Sequence, residues 1–301
     1  MQLAQTLISK EDDSVNYIFT GNFPGVFEAR YVRREEKYFA IYLSSQSGCA
    51  QSCRMCHLTA TRQVETIDAT VDGLLMQANH VFNWYDKCPR AEIVHFNFMA
   101  RGEALNSKEF LNNGTRIFGE LGYEAIKRNL VPRFLISTIM PRSFSGQVIS
   151  KVFPLINPEI YYSIYSVREE FRKKWLPAAL PVDTALKMLD EYQRTTKKMP
   201  KLHWAFIEGE NDSEDDVALL CHRVRRSGLR VDIAIVRYNP YGPEYGQESS
   251  IEVIDRNEQI IRDLMPFSKV HKITRVGKDV KASCGMFVEP NLISTQNLKI
   301  R

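Results

Sequence analysis

The pattern of apolar and polar positions divides most of the chain into alternating strand-like and helix-like segments. Short apolar runs rich in β-branched and aromatic residues predict strands at 38–44, 92–98, 133–137, 159–163, 202–207 and 231–238. Apolar residues at helical spacing predict helices at 71–85, 107–121, 143–153, 182–196, 214–227 and 254–264. Strand–helix alternation at this spacing is typical of a parallel sheet. The chain is therefore predicted to be an α/β protein, either a partial (β/α)6 barrel or a doubly wound sheet.

The first part of the chain does not follow this alternation. Residues 1–37 predict a small N-terminal cap with a turn at 22–25, and residues 38–301 predict the core domain with a C-terminal loop. No internal repeat, low-complexity segment or linker is evident.

Residues that could bind a cofactor or metal follow the ends of the predicted strands. They are Cys49, Cys53, Cys56, Gly102, Glu103, Ser137, Ser163, Ile164, Tyr165 and Asn239. Because α/β proteins build their sites at the carboxyl ends of parallel strands, we expect these residues to share one site.

Three cysteines at C-x3-C-x2-C spacing, Cys49, Cys53 and Cys56, are the most specific local signal. Thiolates suit both iron–sulfur clusters and zinc. A c-type haem would use Cys53, Cys56 and His57, but it needs export and leaves Cys49 unexplained. A structural zinc would need a fourth ligand, and His57 is poorly placed because adjacent residues seldom point at one metal. Zinc remains the serious alternative for the triad considered alone.

Composition narrows the class of protein. With 301 residues, 44% hydrophobic and 25% charged, the chain has the composition of a soluble globular protein. No apolar run approaches a membrane span, and the first residues lack a signal pattern, so we expect a cytoplasmic protein without a membrane partner. The net charge of +4 permits contact with a polyanion without requiring it.

Several motifs occur in a fixed order with the triad. Leu43-Ser-Ser-Gln-Ser-Gly-Cys49 is followed by Arg101-Gly102-Glu103-Ala104, Ser137-Thr138, Ser163-Ile164-Tyr165, Tyr238-Asn239-Pro240 and Ala282-Ser283-Cys284-Gly285. With this series, the chain resembles the RlmN/Cfr family of radical S-adenosylmethionine (SAM) enzymes, which methylate adenine carbons in RNA. The resemblance runs from about residue 28 to residue 287.

The resemblance implies a fold, two cofactors and a reaction. The fold would be a radical SAM partial (β/α)6 barrel, in which Cys49, Cys53 and Cys56 hold a [4Fe–4S] cluster whose open iron binds SAM. The remaining strand-end residues, from Gly102 to Asn239, would contact SAM. Among them, Glu103 would accept a hydrogen bond from the amine of SAM. Cys284 would carry a methyl group that is transferred to adenine C2 or C8, and Glu28 would remove the proton of the adduct.

The resemblance also implies partners. The substrate would be an RNA, either tRNA or rRNA, and a reductant such as flavodoxin or ferredoxin would supply electrons.

Arg275, Lys278 and Lys281 precede Cys284 closely in sequence, and we expect them to lower the pKa of its thiol.

The chain departs from the family pattern at several points. Tyr42 stands seven residues before Cys49, where RlmN enzymes carry a second cysteine that resolves the covalent intermediate, and Ala104 replaces a proline. Only a short segment precedes Glu28, so the resemblance is to a short form without the N-terminal RNA-binding extension. Two alternatives therefore stay open: another radical reaction on a nucleotide-like or small substrate, and a non-catalytic, metal-stabilised RNA-binding module.

Overall fold

A ten-stranded sheet organises the protein, and its strands lie side by side in chain order. The structure is a computed structural model that describes residues 1–292. The strands are β1 (Gln2–Ile8), β2 (Val15–Thr20), β3 (Phe27–Glu35), β4 (Tyr38–Leu43), β5 (Ile93–Phe98), β6 (Val131–Thr138), β7 (Glu159–Ser163), β8 (Lys201–Trp204), β9 (Asp232–Ile235) and β10 (Val270–Lys272).

The sheet changes character at β4. Strands β1 to β4 pair antiparallel, whereas every pair from β4 to β10 is parallel. Strands β1 and β10 are the two ends of the strand order, so the sheet is not closed within residues 1–292. The predicted α/β class and the partial barrel are confirmed.

The helices cover the parallel strands. They are α1 (His57–Ala60), α2 (Val71–Tyr85), α3 (Lys108–Ile126), α4 (Ile149–Val152), α5 (Glu169–Trp175), α6 (Val182–Thr196), α7 (Glu214–Arg226) and α8 (Ile251–Leu264). Side-chain oxygens of Thr70, Ser107, Ser213 and Ser250 accept from backbone amides at the starts of α2, α3, α7 and α8. These caps satisfy amides that a helix leaves unpaired, which is why the predicted starts lie close to the observed ones.

Three predicted elements, one helix and two strands, were wrong in detail. The predicted helix at 143–153 is a 3₁₀ turn (Arg142–Phe144) followed by the four residues of α4, because Gly146 adopts a φ of +79° between them. The predicted strands at 202–207 and 231–238 end at Trp204 and Ile235, where the chain leaves the sheet.

Residues 1–35 are more than an isolated segment on the outside of the core. They form β1 to β3, and β3 is hydrogen-bonded to β4 with Ala29 opposite Leu43. The predicted boundary at residue 37 falls in the turn between β3 and β4. The division into two domains stays a prediction.

An aromatic cluster fills the space between the sheet and α3. Phe118 on α3 stacks on Phe134 of β6 at 4.6 Å and on Phe153 at 5.5 Å, and it packs against Phe98 at 5.6 Å. Among the described residues, no helix has both the length and the apolar character needed to cross a membrane.

Phe118→Ala is expected to lower the free energy of unfolding by about 3–5 kcal/mol, because it removes a buried ring and leaves a cavity. Urea denaturation measures this loss. Tyr123→Ala, on the exposed face of the same helix, is the matched control and is expected to change stability by less than about 0.5 kcal/mol. Equal losses in the two variants would contradict this assignment of the core.

Candidate active site

The three cysteines of the triad lie on a loop at the carboxyl end of β4. The loop is fastened to the β5 end, because the amides of Ser45 and Gln46 donate to the Arg101 carbonyl at 3.0 and 3.3 Å. It is also closed on itself, since the Cys49 amide donates to the Gln63 carbonyl at 3.0 Å. The predicted adjacency of the cysteine loop and the Arg101-Gly102-Glu103 segment is therefore present in the fold.

The triad thiols are free, half-buried and close enough to influence one another. Burial raises the pKa of all three, that of Cys56 to about 11. The neighbouring thiols add to this: Cys56 raises the pKa of Cys49, and Cys49 and Cys56 raise that of Cys53. Three such thiolates repel each other unless a cation joins them, which is the donor chemistry that an iron–sulfur cluster uses.

No group of three or more His, Cys, Asp or Glu side chains within residues 1–292 is arranged as a preformed metal site. The donor set of Cys49, Cys53 and Cys56 fits a thiolate-bound cluster in its chemistry, and its role as a ligand set stays a prediction.

Gly102 allows the β5 loop to approach the cysteine loop. Its φ is +91°, and a Cβ at this position would lie 2.9 Å from the backbone nitrogen of Gln46. The close approach also allows the Glu103 amide to donate a hydrogen bond to Oε1 of Gln46 at 3.2 Å. The conformation and the contact both require glycine here.

Glu103 is a buried carboxylate without a cationic partner in the described part of the chain. Its two oxygens accept from the amides of Leu105 and Ile139 at 3.2 and 3.1 Å. Burial raises its pKa to about 7, and the bonds from Thr138, Ile139 and Leu105 oppose this only partly. A carboxylate in this state gains most from a bound cation, and the amine of SAM fits that requirement.

The other predicted contacts occupy the ends of β6 to β9. Ser137 Oγ lies 3.3 Å from Nδ1 of His203, and Ser163 is the last residue of β7. Ile164 is fully buried. Tyr165, with a φ of +53°, packs in an apolar cluster with Met55.

The segment that carries Cys284 is bound directly to the cysteine loop. The His57 amide donates to the Gly285 carbonyl at 3.0 Å. Asn239 Nδ2 donates to the Cys284 carbonyl at 2.9 Å, and His57 Nε2 donates to the Asn239 carbonyl at 3.1 Å. The structure thus brings the triad, Asn239 and Cys284 together.

His57 is a connecting residue that the sequence reasoning missed. It was considered only as a metal or haem ligand, and the one signal in the sequence was its position next to Cys56. Its contacts to residues 182 and 228 positions away come only from the fold.

A cavity of about 420 Å³ fills the interior of the partial barrel. Cys284 and Asn239 lie on its wall together with Ser137 and Tyr42. The cavity runs to the amino ends of the strands, where Tyr38 of β4 also lines it. The Cys284 thiol is exposed to this space.

Burial by the surrounding protein raises the pKa of Cys284, and the guanidinium groups of Arg30 and Arg34 oppose that rise. The predicted lowering by Arg275, Lys278 and Lys281 is wrong. Arg275 is instead bound to the Tyr238 carbonyl at 2.7 Å and to Glu248 at 2.9 Å.

Glu28 lies in a buried network of charges below the Cys284 segment. Its Oε2 accepts from Arg30 Nη2 at 2.8 Å, and its Oε1 accepts from Arg101 Nε at 2.8 Å. Asn16 Nδ2 and the Val288 amide also donate to the carboxylate, each at 3.0 Å. Burial acts to raise the pKa of Glu28, but the two guanidinium groups outweigh it and hold the pKa below its usual value.

Both arginines extend this network to the chain around Cys284. Arg30 donates to the carbonyls of Ser283 and Met286 at 3.3 and 2.6 Å. Arg101 donates to the Val288 carbonyl at 2.6 Å and to the Ser47 carbonyl at 2.8 Å. Arg30 therefore holds the chain on both sides of Cys284, and Arg101 connects the end of this segment to the cysteine loop.

Comparison with known proteins finds curated relatives over most of the chain. It is 24% identical over 264 residues to a dual-specificity RNA methyltransferase RlmN of Campylobacter hominis. It is 26% identical over 251 residues to a ribosomal RNA large subunit methyltransferase N of Nitrosopumilus maritimus. These alignments cover 85% and 81% of this chain but 68% and 66% of the relatives, so the chain spans about two thirds of their length. No family model matches the chain.

The fold is also that of a solved structure. A radical SAM methyltransferase from Sphaerobacter thermophilus superposes with a TM-score of 0.79 at 20% identity. The match covers 95% of this chain and 80% of that protein. At this identity the likeness establishes the fold.

Glu103→Gln is expected to stabilise the protein at pH 8 by on the order of 2 kcal/mol and to have little effect at pH 5. The folded-state pKa of about 7 exceeds the ordinary value of 4.5, so the wild type loses stability as pH rises from 4.5 through 7. The glutamine variant has no such loss.

Urea denaturation of anaerobic protein without SAM, at both pH values, measures the difference. Glu169→Gln, on the exposed surface of α5, is the control and should respond equally at pH 5 and pH 8. Destabilisation by Glu103→Gln at pH 8 would show that a cation already neutralises this carboxylate.

Proposed function

We propose that this chain, an RlmN-like radical SAM protein, is an RNA methyltransferase that methylates an adenine carbon, C2 or C8, through a methylated Cys284. The similarity to proteins named as RNA methyltransferases supports the reaction class and RNA as the substrate. A reductant such as flavodoxin or ferredoxin belongs to the proposal, because cluster chemistry of this kind consumes an electron.

One observation carries the proposal: Cys284 lines the cavity while the backbone around it is bound to the triad loop and to Asn239. The amide of His57 and the side chain of Asn239 make this connection at 3.0 and 2.9 Å. Two separate thiol systems at one site fit a reaction in which one holds a cluster and the other accepts a group.

When bound, the [4Fe–4S] cluster and SAM supply an electron, a methyl group and a carbon-centred radical. Cys49, Cys53 and Cys56 would hold the cluster, and Glu103 would hold the amine of SAM. Ser137, Ser163, Tyr165 and Asn239, with the backbone of Gly102 and Ile164, would contact the rest of SAM.

The residues around Cys284 prepare its sulfur to accept a methyl group. Only the thiolate is a good nucleophile, and burial alone disfavours it. Arg30 and Arg34 supply positive charge that favours the thiolate. The contacts of Arg30 to Ser283 and Met286 fix the backbone on either side, so the sulfur faces the cavity in a defined position.

The surroundings of Glu28 support a positioning role in addition to the one that the resemblance implies. A carboxylate that accepts from four donors and has a lowered pKa is a weak proton acceptor. We propose that Glu28 positions the Cys284 segment through its two arginines. The role of proton acceptor stays untested.

The methylation state of Cys284 tests the proposed function. Mass spectrometry of protein purified anaerobically with its cluster intact is expected to show one methyl group on Cys284. Cys284→Ala should lose both this methyl group and the methylation of RNA adenine, measured by nucleoside mass spectrometry. Cys221→Ser, within α7, is the matched cysteine control and should retain both. Cys284 that never carries a methyl group would overturn the proposal.

Glu28→Gln separates positioning from proton transfer. Removing this carboxylate leaves two buried guanidinium groups without a counter-charge, and we expect a loss of about 3–5 kcal/mol of stability. In folded protein the fraction of methylated Cys284 should also fall several-fold, because that first step needs the position of Cys284 but no proton acceptor for the adduct. Glu28→Asp, which retains the charge, should restore part of the Cys284 methylation.

The control is Glu124→Gln on α3, which removes a surface carboxylate that also bridges two cations, Lys127 and Arg128. It should leave the methylation of Cys284 unchanged. A Glu28→Gln protein with wild-type methylation of Cys284 that accumulates a covalent RNA adduct would instead identify Glu28 as the proton acceptor.

A further inference from the structure

Lysine and arginine side chains outnumber carboxylates on the cavity wall of the partial barrel. Six basic side chains and one carboxylate, Glu35, line its cavity within the described residues. The six are Arg30, Arg34, Lys201, Arg237, Lys272 and Arg275. A cavity with this excess of positive charge favours an anionic ligand.

Five of these six cations already have carboxylate partners. Arg30 is paired with Glu28 and Lys201 with Glu159. Arg237 and Arg275 share Glu248, and Lys272 is paired with Asp255 and Glu258. Within residues 1–292, Arg34 forms no ion pair, so its charge is the one in the cavity left for a ligand.

The guanidinium group of Arg34 is nevertheless held in place. Its Nε donates to the Thr274 carbonyl at 3.0 Å, and its Nη1 donates to the Tyr42 hydroxyl at 3.2 Å. Its Nη2 donates to no group in the described structure. A fixed guanidinium with a free N–H edge is prepared to bind an anion, because little side-chain freedom remains to be lost.

Arg34 also lies where the barrel is open. Its strand, β3, flanks β4, the first parallel strand, whereas Thr274 follows β10, the last one. Strands β4 and β10 are not neighbours in the sheet, so the Arg34–Thr274 bond spans the gap between the two ends of the parallel sheet. Arg34 and Cys284 lie on the wall of the same cavity.

The rest of the wall suits a nucleotide. Tyr38 and His95 stack at 4.6 Å, and Tyr161 meets His203 edge-on at 4.7 Å. Burial lowers the pKa of His95 to about 4 and that of His203 to about 3, so both rings are neutral at pH 7. Neutral aromatic faces beside one free guanidinium match the chemistry of a planar base joined to a phosphate.

We propose that Arg34 binds the phosphate group of the nucleotide whose base reacts at Cys284. This inference rests on the proposed function, to which it adds a residue that recognises the substrate. The backbone of Arg34 lies beside the start of β4, at the opposite end of that strand from the cysteine loop. Its guanidinium group, which would bind the phosphate, extends back along β4 to the Tyr42 hydroxyl and lies on the cavity wall that also holds Cys284.

The test compares probes with and without a phosphate. Protein with a reconstituted cluster is saturated with S-adenosylhomocysteine, so that probes do not enter the SAM site, and is titrated with adenosine, AMP and a five-nucleotide adenine RNA. Wild-type protein is expected to bind AMP about tenfold more tightly than adenosine, or to bind the RNA about tenfold more tightly than Arg34→Gln does. Arg34→Lys should retain part of the effect. Lys272→Gln, which removes a paired cation of the same cavity, is the matched control and should bind AMP and the RNA as tightly as the wild type does.

The two arms identify the source of the phosphate. A loss of AMP binding in Arg34→Gln indicates a free nucleotide, and a loss confined to the RNA indicates an internucleotide phosphate. If neither AMP nor RNA binding weakens in Arg34→Gln, the inference is overturned. Methylation of Cys284 is measured in the wild-type protein of the same samples and keeps the two proposals distinguishable. Its absence there would overturn the proposed function, whereas the role of Arg34 is read from the titrations alone.

Discussion

The buried contact between Glu28 and its two arginines is the constraint on which the rest of the site depends. One carboxylate lies between two guanidinium groups, and all three side chains are at most 2% exposed. Arg30 also donates to the carbonyls of Ser283 and Met286, and Arg101 donates to those of Val288 and of Ser47 in the cysteine loop. A buried charge that loses its partner costs several kcal/mol, so these segments cannot separate without a large penalty. Burial and charge together therefore fix the distance between the cysteine triad and Cys284.

This arrangement gives the antiparallel part of the sheet a role in the site. Glu28 and Arg30 lie on β3, and Asn16 on β2 joins Glu28 to the Val280 carbonyl at 3.0 Å. The parallel strands carry the triad, Glu103 and Asn239 at their carboxyl ends. The antiparallel strands hold the segment that returns from β10 and places Cys284 over those ends. The site thus forms where the two kinds of sheet meet, and neither part completes it alone.

Local pattern was sufficient for much of the fold and for the order of the site. The helices α2 and α6 have the predicted bounds because their apolar spacing is regular. The strand-end rule anticipated that the triad loop and Asn239 lie close together, whereas only the family resemblance includes Cys284. The pairing of β1 to β3 with β4, and the short β10, were missed, because sheet pairing is set by distant partners. The surroundings of Glu28 were equally hidden. Arg101 is 73 residues away in sequence, and only the fold shows that it joins Arg30 in outweighing the effect of burial on the pKa of that carboxylate.

Tyr42 connects the main departure from the family pattern to the interior of the barrel. A phenol at this position cannot form a disulfide with Cys284, so release of a covalent intermediate by a thiol would need another source. Cys221 is buried in α7, and Cys88 donates to the Trp84 carbonyl just after α2; neither lines the cavity in the described structure. The Tyr42 hydroxyl instead accepts from Arg34 and fixes the one cavity cation without a carboxylate partner in the described residues. On the proposed function, the residue that replaces a resolving thiol contributes to substrate binding by positioning Arg34.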